Sequence, residues 1–487
     1  MNFPAILFLR RADPNAQLAA HLVAGLIALL LLLAPPPARG QVSLDPGVAA
    51  AFRPDRILVK PVAGADLSGL HAALGTTVLR EFPAIGGLQV VQVPAGANVA
   101  DLIAAYRQSA LVAYAEPDFI VRALDTTPND FRYWDGSLWG LHNTGIYGGT
   151  PGADIKAPQG WDVQNSAANI IVAVTDTGAW LSHEDLAANL WTNPGESGKD
   201  ALGLDKSTNG IDDDHDGYID DVHGINAILG TGLPLDDYGH GSHVSGTLGG
   251  VGNNSVGIVG VAWRVQLMEC KFIDSQGNGS ISNAITCLDY ARQKGAKIVN
   301  ASWGGYSFTS TALYDAINSL RSAGILFIAA CGNDNNDNDA NPLYPASYAL
   351  DNIIAVAATD RTDAKAWFSN YGAHTVHLGA PGQDIFSCWN GSNSAYQYDN
   401  GTSMAAPHVA GACALIWAHN PGATYLQVRN SILSSTDPLP TLAGHTVTGG
   451  RLDLYKALMV SIPSGTTGTP PPAPPPAPAP VPVPVPL

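Results

Sequence analysis

The run Ile170-Ile171-Val172-Ala173-Val174-Thr175-Asp176-Thr177-Gly178 constrains this chain more than any other stretch. Consecutive apolar residues with no polar alternation read as a strand of the parallel-sheet kind, buried on both faces. Ligand-binding and catalytic groups gather at the carboxyl ends of such strands. Here that end is an acid followed by a glycine turn, which makes Asp176 a candidate for chemistry.

Two further segments place reactive side chains among glycines. In Asp237-Tyr238-Gly239-His240-Gly241-Ser242-His243-Val244-Ser245-Gly246-Thr247, glycines flank His240, and the Val, Gly and Thr that follow suit a packed helix. In Gly401-Thr402-Ser403-Met404-Ala405-Ala406-Pro407-His408-Val409-Ala410-Gly411, Ser403 lies between a glycine turn and the start of a small-residue helix. A serine hydroxyl is a poor nucleophile at neutral pH and needs a base in reach and a third group to orient that base. Singly, each residue has a plain reading: a helix cap, a loop histidine, a Gly-Ser turn. Together, in the order Asp176, His240, Ser403, they point to nucleophilic catalysis. None of the five cysteines has a comparable His and glycine context, so a cysteine nucleophile is disfavoured.

That order is the one found in subtilisin, and the three motifs resemble those of the subtilisin-like serine proteases, the subtilases, from about Trp139 to about Leu458. The resemblance implies a three-layer α/β fold with a mainly parallel central sheet and helices on both faces. It implies that Ser403 is the nucleophile, His240 the base and Asp176 its orienting acid. The segment Ile325-Leu326-Phe327-Ile328-Ala329-Ala330-Cys331-Gly332-Asn333 reads as a buried strand ending in a Gly-Asn turn. It resembles the subtilase segment whose Asn completes the oxyanion hole, so Asn333 would donate its side-chain amide beside the Ser403 N–H. His243, His183 and His408 are left as structural neighbours.

The resemblance also supplies two backbone edges for an extended peptide bound by strand addition. One is Ile273 to Ser280, with Gly277 and Gly279; the other is Ser302, Trp303, Gly304 and Gly305. Leu343 falls where many relatives have glycine at the floor of the primary pocket. It implies a shallower, more apolar pocket and a preference for medium-sized apolar residues.

Calcium is the expected cofactor. The loop Asn209-Gly210-Ile211-Asp212-Asp213-Asp214-His215-Asp216-Gly217-Tyr218-Ile219-Asp220-Asp221 has acids at alternate positions and then a glycine, as in an EF-hand loop. The twelfth position from Asp212 is His223 and not Glu, so it is not a full EF-hand. Asp212, Asp214, Asp216 and Asp221, with the Tyr218 carbonyl, are the expected ligands; a merely solvated acidic loop is the alternative. Resemblance alone indicates a second calcium site at Asn254 and Asp185, in a stretch that also reads as an ordinary turn.

The chain has 487 residues, 46% hydrophobic and 13% charged, enough for a sizeable core in two or three domains. Its net charge of −17 argues against nucleic acid as a partner and leaves carboxylates for calcium. Arg10 and Arg11, an apolar run from Leu22 to Ala34 and Ala38-Arg39-Gly40 resemble a secretory signal peptide over residues 1–40. The alternative is an uncleaved anchor, although the run is short for a spanning helix; Ala12-Asp13-Pro14 after the arginine pair disfavours a twin-arginine signal. With that segment removed, no stable membrane insertion is expected, and the product is secreted or extracytoplasmic. Cys270, Cys287, Cys331, Cys388 and Cys413 are odd in number, so at least one thiol is unpaired or paired between molecules. Cys331 reads as a buried free thiol, or else one lining the pocket beside Asn333.

Residues 41–124 read as strand Arg56–Lys60, helix Asp66–Leu74 closed by Gly75, strands Thr77–Phe82 and Leu88–Val93, helix Val99–Ser109 and strand Val112–Asp118. This β-α-β-β-α-β order is the ferredoxin-like arrangement. It resembles the inhibitory prodomain of subtilases, down to Tyr114-Ala115-Glu116-Pro117-Asp118, with a permanently attached binding domain as the alternative. Processing would fall between about Val121 and Thr127, leaving a peptidase domain over residues 125–462. The tail over residues 463–487, nearly all Pro, Ala and Val from Thr469, reads as a polyproline II spacer. The expectation is therefore a monomeric, calcium-stabilised serine endopeptidase acting on polypeptides, with its own prodomain as intramolecular inhibitor. A catalytically silent calcium-dependent binding protein and a serine peptide ligase are the competing readings.

Overall fold

The computed structural model describes residues 52–120, 126–306 and 309–463. The expected signal peptide, most of the expected processing region and the tail from residue 464 lie outside the described residues. The chain divides into two compact units between Ala123 and Leu124.

In the first unit, strands β1 (Phe52–Pro61), β2 (Thr77–Phe82), β3 (Leu88–Gln92) and β4 (Val112–Phe119) accompany helices α1 (Ser68–Leu74) and α2 (Val99–Arg107). The sheet order is β2-β3-β1-β4, with antiparallel pairing. This is the expected ferredoxin-like order. Ile57, Val59, Val91, Leu102, Ile103, Tyr106 and Ala115 form its core. α1 starts two residues later than the sequence reading, because the Asp66 carboxylate accepts the Ser68 N–H at 2.9 Å in a turn ahead of the helix. Gly75 closes α1 at φ 65°, the left-handed conformation favoured after a helix end.

The second unit contains β5 (Ser166–Asp176), β6 (Gly224–Asn226), β7 (Arg264–Lys271), β8 (Ile298–Ala301), β9 (Leu326–Ala330), β10 (Ile353–Thr359), β11 (Leu378–Pro381), the hairpin β12 (Ile385–Cys388) and β13 (Tyr396–Asp399), and the short β14 (Asp437–Pro438) and β15 (Gly450–Arg451). Its helices are α3 (Phe131–Trp134), α4 (Ala157–Val163), α5 (His240–Gly249), α6 (Ile281–Gln293), α7 (Thr311–Ser322), α8 (Thr402–His419), α9 (Tyr425–Ser434) and α10 (Leu454–Met459). Among the described residues the main sheet has nine strands in the order β14-β15-β11-β10-β9-β8-β5-β7-β6. Every pair is parallel except β14 with β15.

The apolar runs alternate between two cores, as side chains on a strand must. Val172, Val174, Leu267, Ile298, Ile328 and Val356 face α5 and α8. Ala173, Met268, Val299, Phe327 and Ala355 face α6 and α7. This is the expected three-layer α/β fold with a mainly parallel sheet. β5 stands where strand order reverses, with β7 and β6 on one side and β8 to β11 on the other. A crevice forms at such a switch point, outside the carboxyl ends of the strands, and Asp176 is the last residue of β5.

Candidate active site

Glycine sets how closely α5 meets the end of β5. α5 starts after Gly239, whose φ of 112° a side chain would resist. At Gly241 a Cβ would collide with the Gly178 carbonyl, and the bare backbone instead lets the Gly241 N–H reach the Thr177 hydroxyl at 2.8 Å. His240 is thereby held over β5, with Nδ1 2.7 Å from Asp176 Oδ1. Asp176 is fully buried, while the His240 side chain keeps 19% of its surface exposed. Burial opposes the imidazolium, but Asp176, through charge and hydrogen bond, and Asp399 and Asp236 farther out, raise the His240 pKa above its ordinary value.

α8 is buried on nearly all sides, which its alanines and glycine permit. Pro407 lies inside it and has no N–H for the carbonyl four residues back, that of Ser403. The Ser302 hydroxyl takes that carbonyl at 2.8 Å, and the Ser403 hydroxyl donates to the Ser302 carbonyl at 3.0 Å. Two hydrogen bonds thus tie the start of α8 to the strand end after β8. Asn333 Oδ1 accepts from the Thr402 N–H and hydroxyl, each at 2.9 Å. That fixes Nδ2 as the outward donor. Asn333 Nδ2 and the Ser403 backbone nitrogen each lie 3.4 Å from the Cβ position of Gly401, so the two nitrogens are close neighbours.

Ser403 and Asn333 line a cavity of about 290 Å³ together with Trp303, Gly304, Gly332 and Leu343. Leu343 is buried, and a Cβ at Gly304 or Gly332 would strike its methyl groups. Trp303 is anchored by Nε1 donating to the Thr175 hydroxyl at 3.0 Å and by edge contact with Phe272. Tyr306 and Asp334 also line the cavity, which the sequence reading did not include. Gly277 and Gly279 stand on a separate turn, where Ile273 pairs with Gly279 and Tyr238 lies 3.4 Å from the Cβ position of Gly277. Cys331 is buried, its thiol directed at the Asn370 carbonyl at 3.3 Å.

The other histidines are occupied in packing. His243 Nε2 donates to the Ile385 carbonyl at 2.9 Å, and burial lowers its pKa to about 3. His183 Nε2 contacts the Ala395 carbonyl, and His408 Nδ1 the Met404 carbonyl.

Among the described residues two acidic groups could hold a metal ion: Glu196, Asp212 and Asp214, and Asp214, Asp216 and Asp221, each with oxygens within 4.8 Å of one another. Glu196 comes from outside the acidic loop, and its Oε1 accepts the Asp213 and Asp214 N–H groups at 2.7 and 3.2 Å. Glu196 Oε2 and Asp214 Oδ1 are buried without a hydrogen-bond partner. The second group already has a cation, since Lys294 Nζ lies 2.5 Å from Asp214 and 2.9 Å from Asp216. Burial alone would raise the Asp214 carboxyl; Lys294 and Asn193 more than reverse this and leave it below the ordinary range. Asp221 accepts from the Tyr290 hydroxyl and from Asn193, and burial raises it to about 7. Tyr218 donates its N–H to Asp216 at 2.9 Å and packs edge-on against Tyr290.

Asp185 and Asn254 do meet, with Asn254 Nδ2 donating to Asp185 Oδ1 at 2.7 Å. The other carboxylate oxygen accepts the Ile258 N–H and the Tyr396 hydroxyl, both at 2.7 Å. Burial raises Asp185 to about 6, against these hydrogen bonds.

Known proteins with these features are similar to the chain in both units. The Subtilase family profile matches residues 167–453, and that of the Fervidolysin N-terminal prodomain matches residues 42–118. A thermophilic serine proteinase of Bacillus sp. (strain AK1) is 33% identical over 74% of this chain and 76% of its own. Subtilisin-like protease 1 of Plasmodium berghei (strain Anka) is 35% identical over 62% of this chain; the match spans 51%, about half, of that relative's length. A solved structure of a protease from Pseudoalteromonas arctica PAMC 21717 aligns with a TM-score of 0.53 at 29% identity, covering 68% of this chain and 99% of that one. With the family profile spanning more than half of its length, the chain belongs to the subtilase family of serine peptidases and carries an N-terminal prodomain of the fervidolysin kind.

Proposed function

We propose that the chain is the precursor of an exported, calcium-stabilised serine endopeptidase that hydrolyses polypeptides through an acyl-enzyme. The observation that carries this reading is two pairs at the carboxyl ends of adjacent strands: Asp176 with His240 at 2.7 Å at the end of β5, and, just past β8, Ser403 bonded to the Ser302 carbonyl and sharing one cavity with Asn333. In this mechanism the Ser403 hydroxyl leaves the Ser302 carbonyl, gives its proton to His240 Nε2 and attacks the scissile carbonyl. Asp176 holds Nδ1–H and favours the imidazolium that forms. Asn333 Nδ2 and the Ser403 N–H receive the developing oxyanion. His240 then returns the proton to the leaving amine, and water repeats the cycle on the ester.

The cavity floor at Leu343 supports a preference for medium-sized apolar residues before the scissile bond, with Ser302 to Gly304 and the Gly277–Gly279 turn as edges for the peptide. The unpartnered oxygens of Glu196 and Asp214 fit a divalent ion held with Asp212. Calcium bound there would supply positive charge to the Glu196, Asp212 and Asp214 Oδ1 side of the loop, since Lys294 lies on Asp214 Oδ2 and Asp216. Asp216, the Tyr218 carbonyl and Asp221 would border it, and Asp185 with Asn254 would hold a second ion only by giving up hydrogen bonds they now make. The prodomain would act as the intramolecular inhibitor, and the apolar N-terminus as the export signal.

The test is to follow the mass of purified precursor with time in calcium, beside Ser403→Ala, and to expose both to a fluorophosphonate. Loss of the first roughly 120 residues and labelling in the wild type alone support the reading. Equal processing of both chains, or a wild type that neither matures nor labels, refutes it.

A further inference from the structure

β7 brings one acid into the layer where α5 lies on the sheet. In the parallel register of β5 and β7, Glu269 pairs with Val174, and Lys271 pairs with Asp176. Residues two apart on a strand share a face. Glu269 therefore shares with Asp176 the face on which Val172, Val174 and Leu267 pack against Val244 and Leu248 of α5. One strand across and two residues back puts the two Cα atoms about 8 Å apart.

Glu269 has no exposed surface. Its Oε1 accepts the Ser245 hydroxyl at 2.8 Å, and its Oε2 has no hydrogen-bond partner. An ionised carboxylate needs several donors when buried, whereas a carboxylic acid is served by one. The groups that face it do not supply the difference. β5 brings Asp176, the lead-in to α5 brings Asp236, and α5 brings His240, which Asp176 engages, and His243, which burial keeps neutral. β6 brings no titratable side chain, and the carbonyl of His223 before it takes the Glu269 N–H. On β7 itself, Cys270 faces the opposite core. The Lys271 ammonium donates to Asp237 at 2.6 Å and to the Thr177 and Ile273 carbonyls at 2.9 Å each. Burial raises the Glu269 carboxyl to about 8, partly offset by Ser245 and reinforced by Asp176 and Asp236.

We propose that Glu269 is a positioning residue for the Asp176–His240 pair: as a buried acid it leaves His240 one carboxylate partner, and on losing its proton it places a second negative charge beneath α5. The proposal rests on the reading of Asp176, His240 and Ser403 as the reacting set. Because His240 becomes a cation during acyl transfer, that added charge favours the transition state over the free enzyme. Glu269 lies one strand and two residues from the acid that His240 engages, which puts the two charges on the order of 8 to 12 Å apart; at protein-like screening this gives a rise of roughly 3- to 30-fold in kcat/KM.

The experiment measures kcat/KM for one peptide substrate from about pH 6 to about pH 10, using mature wild type, Glu269→Gln and Ser245→Ala. The wild type should show the acid limb of His240 and a second upward step near pH 8. Glu269→Gln should keep only the acid limb. Ser245→Ala should move the second step to higher pH, because the hydroxyl that lowers Glu269 is gone. A wild type with no upward step, or an upward step that survives in Glu269→Gln, overturns the proposal. If Glu269→Gln does not fold, a step left unmoved in Ser245→Ala does the same. Hydrolysis with a lone acid limb sinks this proposal only; no hydrolysis at any pH sinks the catalytic reading with it.

Discussion

Replacing Leu343 with alanine should change which residue the enzyme accepts before the scissile bond. Leu343 is only 5% exposed, and its methyl groups fill the space that Gly304 and Gly332 leave open. The cavity it floors holds about 290 Å³. The substitution removes three carbons, and at about 0.8 kcal/mol per buried methylene a substrate side chain that refills the space regains about 2.4 kcal/mol. This is about 50-fold in kcat/KM as an upper bound, and about tenfold if the walls partly collapse. The assay compares peptide amides that differ only in Val or Phe at that position. The Phe:Val ratio of kcat/KM should rise by about 10- to 50-fold in Leu343→Ala. A parallel loss of about 2 to 3 kcal/mol in stability is expected, toward the low end for a core leucine because the new space opens on solvent. A ratio that stays within about twofold of wild type would refute the placement of Leu343 at the pocket floor. So would a wild type that prefers Lys or Arg peptides.

Asn333→Ala should lower kcat by about 100- to 1,000-fold with little change in KM, since the amide acts on charge that appears only in the transition state; a loss under about tenfold in steady-state kinetics would exclude the oxyanion role. The base works only when neutral, so activity is lost as pH falls through the His240 pKa, which Asp176 holds above 6.5. Asp176→Asn should move that acid limb downward in a pH–rate profile and lower its plateau, and an unmoved limb would contradict the pairing. Removing calcium with a chelator should lower Tm by about 4 °C, the size expected if an ion at about 100 times its Kd contributes about 2.7 kcal/mol to a domain of roughly 340 residues. Glu196→Gln should abolish most of that calcium dependence, and a chelator effect equal to wild type in the variant would place the ion elsewhere.

What was legible in the sequence was whatever local pattern enforces. The runs Ile170 to Val174, just before Asp176, and Leu326 to Ala330 are apolar at every position, so burial on two faces could be read directly. The ferredoxin-like unit was legible because each of its elements carries its own boundary, such as Asn98, whose side chain accepts the N–H groups of Ala100 and Asp101 at the start of α2. The meeting of Asp176 and His240 was suggested by the glycines beside them, which have steric reasons that do not depend on the rest of the chain. Long-range partners were not. Glu196 joins the acidic loop, and Lys294 reaches it from the end of α6, because the β5–β7–β6 order folds those segments together. The use of Pro407 was equally hidden. It acts by what it omits, an N–H for the Ser403 carbonyl, and only the fold shows that Ser302 takes that place.

Three carboxyl groups beneath α5 show how one buried layer can give like groups different roles. Asp236 accepts five hydrogen bonds, from Thr177, Tyr238, Gly239 and twice from Ser242, and so fixes the start of the helix. Asp176 accepts the Thr177 N–H and His240 Nδ1, which aims it at the imidazole that the proposed mechanism charges. Glu269 has one hydroxyl. The number of donors within reach, more than distance along the chain, separates an anchor from an orienting acid and both from a group that keeps its proton. The difference has a cost in stability. Raised from 4.5 to about 8, Glu269 is a destabilising group once pH exceeds its unfolded value, by about 3 kcal/mol at pH 7, and the penalty stops growing only above about pH 8. A valine at this position would pack with Leu267 and Val174 without that penalty. An acid there is intelligible if its charge acts on the pair beside it, since packing alone argues against it.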